Sequence, residues 1–209
     1  MEKGLILGVC GKARAGKDTV GKMLAEELFD ISGRKFTLMA YATELKNKCQ
    51  RLFDLSYEQL WGDQKEVEDH RYPKGQGGFW TAREILQFYG TDCMRAIDND
   101  VWVKALFKII KEKKFTDIII TDVRFPNEIN PIKNDTGYIV NVESSRECID
   151  NVHGKTHASE TSLNNCSDVD FSIINDGSFD ELRDSVKNVV EFIKASEKIK
   201  LKTGGKNNG

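Results

Sequence analysis

Gly11-Lys12-Ala13-Arg14-Ala15-Gly16-Lys17-Asp18-Thr19 decides how this chain is read. The preceding run, Leu5-Ile6-Leu7-Gly8-Val9-Cys10, is continuous and apolar, as a strand buried on both faces would be. After it, Val20, Met23, Leu24 and Leu28 recur at helical spacing, and Gly33 offers a helix stop. A Gly-x4-Gly-Lys turn between a buried strand and a helix is the setting in which such a turn binds phosphate. Gly11 and Gly16 permit torsions that aim successive N–H groups into one anion nest at the helix N-terminus. Lys17 would reach the β- and γ-phosphates of a nucleoside triphosphate, and Thr19 would bond the phosphate chain. Asp18 stands where the motif normally has Ser or Thr, a Mg²⁺ ligand. That substitution points away from switch GTPases and motors, and towards kinases of small phosphorylated metabolites.

The chain has 209 residues, enough for one domain or one core domain with an elaborated insertion. A hydrophobic fraction of 39% supplies a core, and 31% charged residues supply a solvated surface. Net charge is −2, so no global basic field is present to hold nucleic acid. No stretch approaches the roughly 20 apolar residues of a membrane span, and residues before the first strand show no secretory pattern. Cys10, Cys49, Cys93, Cys148 and Cys166 are dispersed, odd in number and without a Cys-x-x-Cys pair, as expected of thiols in a reducing cytoplasm.

Five apolar runs have strand character: residues 5–10, 36–40, 117–121, 138–142 and 171–174. Helical patterns lie between them, including Leu45, Cys49, Leu52 and Phe53, then Trp102, Leu106, Ile109 and Ile110, with Lys111, Lys113 and Lys114 suited to a helix C-terminus. Ser56-x-x-Gln59, Thr81-x-x-Glu84 and Ser178-x-x-Glu181 read as capping boxes, and Gly90 as a helix stop. The alternation predicts a doubly wound α/β fold over residues 1–197, with residues 198–209 as a disordered tail. Two connections, 41–116 and 143–170, are too long for plain crossovers, and 62–79 within the first reads as a polar loop.

The second informative stretch is Ile118-Ile119-Ile120-Thr121-Asp122-Val123-Arg124-Phe125-Pro126-Asn127-Glu128. An isoleucine run ending in Asp delivers a carboxylate to the C-terminal edge of a sheet, where ligands of open α/β folds bind. Asp122 is placed to position Mg²⁺ or to accept a hydrogen bond from substrate, with Arg124 and Glu128 close by in sequence.

Taken together, these motifs resemble the deoxynucleoside monophosphate kinases of tailed phages. The resemblance rests on Lys17-Asp18-Thr19, Arg83-x3-Gln87-x2-Gly90-Thr91-Asp92, Asp100-x-Trp102-Val103, Asp122-x-Arg124 with Glu128, Thr156-His157 with Glu160, and Asn175-Asp176-Gly177-Ser178. It covers nearly the whole chain. It implies a P-loop kinase with a five-stranded parallel sheet flanked by helices, a helical acceptor-binding insertion at 41–116 and a short lid-like segment at 143–170. It further implies ATP and Mg²⁺ as cofactors, a dNMP as the second substrate, and a homodimer. Carried over by position, Gly11, Arg14, Ala15, Gly16, Lys17, Asp18 and Thr19 bind ATP, and Lys46, Arg83, Trp102, Asp122, Arg124 and Glu128 bind the acceptor. Lys17, Arg14, Arg124 and Asp122 are the catalytic candidates, with Asp122 or Asp18 as the carboxylate nearest a metal.

The chemistry agrees with that resemblance. Phosphoryl transfer between two polyanions needs cations and alignment more than covalent participation. Lys17, Arg14, Arg83 and Arg124 supply cations from separate segments, and an arginine fork suits a terminal phosphate. Trp102 reads either as a platform for sugar or base or as a core residue, and Arg95 as a further phosphate cation or a solvated helix charge. His153 and His157 lie near Cys148 and Cys166, but their spacing fits no zinc site. The expected reaction is dNMP plus ATP to dNDP plus ADP in the cytoplasm. The alternatives are a kinase of phosphomevalonate or dephospho-coenzyme A, and a nucleotide-dependent switch protein.

Overall fold

The computed structural model describes residues 4–135, 137–145 and 168–196. They divide into two compact units, one formed by residues up to Ala40 and from Lys113 onward, the other by Tyr41–Glu112. Cys148, His153, His157 and Cys166, nearly all of the lid-like segment and the C-terminal tail lie outside the described residues.

In the first unit, β1 (Ile6–Gly11) is the middle strand of a five-stranded sheet. Its companions are β2 (Thr37–Met39), β5 (Ile118–Val123), β6 (Tyr138–Glu143) and β7 (Phe171–Ile174), in the order β2-β5-β1-β6-β7 with every pair parallel. The continuous apolar runs are explained by helices on both faces. α1 (Lys17–Ser32) and α7 (Phe179–Ala195) pack on one face, where Val20, Leu24, Leu28, Val186 and Ile193 are buried with Leu7, Val9 and Val140. Each such side chain contributes about 1.5–3 kcal/mol by leaving water. On the other face α6 (Pro126–Asn134) lays Ile132 over Gly8, where a Cβ would meet its methyl at 2.7 Å. Asp117 ties the start of the sheet: its carboxylate accepts from Leu5 N–H at 3.1 Å and from the Arg34 guanidinium, while its carbonyl accepts from Thr37 N–H. Gly33, in the left-handed region, closes α1 by donating its N–H to the Phe29 carbonyl at 2.7 Å.

The second unit comprises α2 (Ala42–Phe53), α3 (Tyr57–Leu60), a 3₁₀ turn at Gln64–Glu66, and the antiparallel pair β3 (Glu68–Pro73) and β4 (Phe79–Thr81). It continues with α4 (Ala82–Gln87) and most of α5 (Val101–Lys113). Its core is Cys49, Leu55, Leu60, Ala82 and Ile85, ringed by Leu45, Phe53, Trp61, Tyr72 and Trp80. Leu52, expected inward, is 61% exposed. The capping boxes at Ser56, Thr81 and Ser178 form as read.

Two expectations are corrected here. Residues 62–79 are not a plain polar loop but a short turn and a hairpin arm. The arm carries little apolar alternation because polar contacts hold it: buried Asp69 accepts from Arg71 and from Gln59 Nε2, and Tyr72 donates its hydroxyl to the Phe53 carbonyl at 2.6 Å. Gly90 does not stop its helix. The chain widens into a π-helical stretch over Phe88–Arg95, in which Gly90 is buried and a Cβ there would meet Leu45 at 2.5 Å. Close approach, rather than termination, requires the glycine. No helix among the described residues is long and apolar enough to cross a membrane.

Candidate active site

β1 ends at Gly11, and the chain turns through residues 12–15 into Gly16, the N-cap of α1. Gly11 has φ 136° and Gly16 has φ 95°, with Arg14 at φ 61° between them. A Cβ at Gly11 would strike the Val142 carbonyl at 2.2 Å, and one at Gly16 would strike the Asn175 amide at 2.4 Å. Both glycines are therefore required by torsion and by space. Gly16, at the N-cap of α1, has no side chain with which to make a cap hydrogen bond. The start of a helix carries backbone donors and the positive end of the helix dipole, the arrangement an oxyanion takes up.

The Lys17 ammonium lies along its own loop, donating to the carbonyls of Gly11 at 2.9 Å and Lys12 at 2.6 Å. Asp18, the irregular residue of the motif, accepts a 2.8 Å hydrogen bond on Oδ1 from the hydroxyl of Thr121 in β5. A third contact comes from beyond β7: Asn175 Nδ2 donates to the Ala15 carbonyl at 2.9 Å. Arg14 is exposed and Thr19 half-buried.

β5 is irregular where it reaches this site. Gly8 pairs with Ile120 and Cys10 with Val123, so two steps along β1 match three along β5. The extra residue is a bulge at Thr121 and Asp122. Thr121 faces α1, where its methyl lies against Gly21, whereas Val123 packs beside Gly8 with Ile132 of α6. Asp122 is half-buried at this change of face. Immediately afterwards Glu128, 3% exposed, accepts on Oε2 from the N–H groups of Arg124 at 2.7 Å and Phe125 at 3.1 Å. Its carboxylate shapes the turn that carries Arg124 and opens α6 at Pro126.

The structure thus brings Gly11–Thr19 together with Thr121 and Asn175, and places Asp122, Arg124 and Glu128 on the strand and turn that follow Thr121. Lys46, Arg83 and Trp102 belong to the second unit and occupy three different settings. Arg83 Nε is ion-paired with Glu66. The Lys46 ammonium lies 5.5 Å from the centre of the Trp61 ring, itself stacked on Tyr57. Trp102 is 7% exposed and donates its indole N–H to the Gly90 carbonyl at 2.9 Å, so its ring helps to pack this unit. Arg95 donates to the Asn99 carbonyl at 2.9 Å.

Sequence reading gave no role to Thr121, Asn175 or Glu66. Thr121 adjoins a residue singled out for its charge, and Asn175 stood in a quoted motif without an assigned contact. Among the described residues no group of three or more His, Cys, Asp and Glu side chains could hold a metal.

Comparison with known proteins bears on the same segments. The family model for deoxynucleotide monophosphate kinase matches residues 64–186, more than half of the chain, beginning beyond the phosphate loop. A protein of Acanthamoeba polyphaga mimivirus named "Putative deoxynucleotide monophosphate kinase" is 28% identical over 207 residues, covering 90% of this chain and 96% of its own. Among solved structures, dephospho-CoA kinase from Campylobacter jejuni aligns over 92% of this chain and 98% of its own, at 13% identity and a TM-score of 0.45. Shikimate kinase from Aquifex aeolicus covers the same shares at 13% identity and a TM-score of 0.44. At those scores the two structures add nothing to the assignment. The five-stranded parallel sheet, its phosphate loop and the family match agree: the chain belongs to the deoxynucleotide monophosphate kinase family and is a nucleotide-using phosphotransferase.

Proposed function

We propose that the protein transfers the γ-phosphate of ATP to a deoxynucleoside monophosphate, giving dNDP and ADP and so supplying DNA precursors. The observation that carries this reading is the glycine-bounded loop that enters α1 at Gly16, along which Lys17 extends its ammonium. In this reading the loop amides and Lys17 bind the triphosphate, replacing the carbonyl contacts that Lys17 now makes. Arg14 neutralises charge on the transferring group, and Arg124, on the turn held by Glu128, neutralises the acceptor phosphate. Arg83 and Lys46 make the second unit the acceptor-binding insertion. Trp102 would serve it by packing Gly90 and the π-helical stretch.

Asp18, bonded to Thr121, and Asp122, the next residue along β5, are hard oxygen donors. That donor set fits Mg²⁺, which keeps several waters and is held largely by substrate phosphates. When bound, the ion would offset charge on the β- and γ-phosphates. Asp18 would take part while still accepting from Thr121, and Asp122 would hold a metal-bound water or a substrate hydroxyl.

The test is an ADP-release assay with the four common dNMPs, the matching NMPs, phosphomevalonate and dephospho-coenzyme A as acceptors. Turnover restricted to nucleotides supports the reading. Turnover with one of the other acceptors alone, or nucleotide hydrolysis that no acceptor stimulates, replaces it.

A further inference from the structure

We propose that Asn175 is a positioning residue for the ATP phosphates, acting by fixing the peptide between Ala15 and Gly16. The inference rests on the reading of the loop as the triphosphate site and adds the part that sets its shape.

Two independent observations meet at this peptide. Asn175 Nδ2 donates to the Ala15 carbonyl at 2.9 Å. The same amide nitrogen stands 2.4 Å from where a Cβ on Gly16 would be, so the glycine makes the room the amide fills. In a trans peptide the carbonyl and the following N–H point in opposite directions. Holding the Ala15 oxygen on Asn175 therefore turns the Gly16 N–H away from Asn175, onto the opposite side of the loop. Gly16 is also the N-cap of α1, so this peptide sets how the chain enters the helix.

Asn175 is itself held. Its backbone N–H donates to the Glu143 carbonyl at 2.7 Å, continuing the pairing of β7 with β6. The Ser144 hydroxyl contacts both the Asn175 carbonyl at 3.2 Å and Asp176 Oδ1 at 3.0 Å, and Ser145 N–H donates to Asp176 Oδ1 at 2.6 Å. The ends of β6 and β7 thus form a clasp from which the Asn175 side chain grips the loop. An anchored amide of this kind pre-organises donors, which spares the ligand the ordering of a mobile loop.

The test compares wild type with Asn175→Ala and Asn175→Leu, the second keeping nearly the original shape without a donor. ATP affinity is measured by calorimetry, and amide exchange is followed on a peptide covering residues 11–19 without nucleotide. The expected result is affinity weakened about ten-fold, the effect of roughly one lost hydrogen bond, with faster exchange in that peptide in whichever variant retains its far-ultraviolet spectrum. Weakened affinity with unchanged loop exchange would mean that Asn175 touches the nucleotide itself and overturns the proposal, as does unchanged affinity in a folded variant. Wild-type protein that binds no ATP overturns the nucleotide-site reading, and this inference with it.

Discussion

Thr121 donates its hydroxyl to the Asp18 carboxylate at 2.8 Å, joining the bulged end of β5 to the first turn of α1. The residue that breaks the usual phosphate-loop pattern is therefore a structural acceptor as well as a candidate near the metal. Thr121→Val keeps the side-chain outline and removes the donor. It is expected to lower stability by about 1 kcal/mol, whereas Thr121→Ser keeps the donor and should lose only the packing of its methyl on Gly21, about 0.8 kcal/mol. Denaturant midpoints at constant slope measure this, and equal midpoints for Val and wild type would show the bond to be energetically idle.

The Lys17 ammonium donates to the carbonyls of Gly11 and Lys12 in its own loop. Lys17→Ala is expected to cut kcat by at least about 10²-fold, as removal of a charge-stabilising donor does. The variant should still fold, with a stability loss of about 1–2 kcal/mol for the two hydrogen bonds removed. Near-normal turnover in a folded variant would remove the loop lysine from the mechanism.

Arg83 is paired with Glu66, a partner that an acceptor phosphate would have to displace or share under the proposed role of Arg83. Arg83→Ala should raise the acceptor KM about ten-fold with the ATP KM unchanged, because a charge-assisted bond contributes roughly 1.5–3 kcal/mol. Glu66→Gln should lower the acceptor KM, since the guanidinium is then held by a neutral group. Initial rates over a matrix of both substrates separate the two constants. A rise in the ATP KM alone for Arg83→Ala would move this residue to the other substrate.

Asp69 gives the second unit a pH dependence. Hydrogen bonds from Arg71 hold its carboxyl well below the usual carboxylate range, with Gln59 adding to the effect and burial opposing it. The folded pKa is thus below the unfolded value of about 3.9. Its stabilisation is complete at neutral pH and is lost as pH falls below about 4 towards the folded value. Asp69→Asn should cost about 1–3 kcal/mol at pH 7 and flatten the acid-side loss. Urea midpoints at neutral and acid pH test both, and parallel acid loss in wild type and variant would assign that loss to other carboxylates.

The first unit was legible because its signals are local and apolar. Leu5 to Cys10 and Ile118 to Ile120 are buried on both sides, so composition alone identified them as strands, and the phosphate loop between β1 and α1 followed. The hairpin at β3 and β4 escaped because its first strand is held by Asp69 and Arg71, residue types that do not mark a strand until their partners are known. Gly90 was misread for a related reason. A glycine at a helix end and a glycine under Leu45 look alike in sequence. The loop partners were hidden by distance along the chain: Thr121 is 103 residues from Asp18 and Asn175 is 160 from Ala15. Arg83 and Lys46 are singled out in sequence only through the family resemblance, and their contacts with Glu66 and Trp61 appear only in three dimensions.

The grip of Asn175 on Ala15 also has a consequence for how the protein is made. Every residue of the loop leaves the ribosome before β7 and Asn175 do. Contacts of such long sequence separation form late, after the intervening chain has closed. A ribosome-bound chain ending before β7 would carry the entire glycine-rich motif while lacking the strand that seats it, so nucleotide competence would be acquired only once β7 has been made.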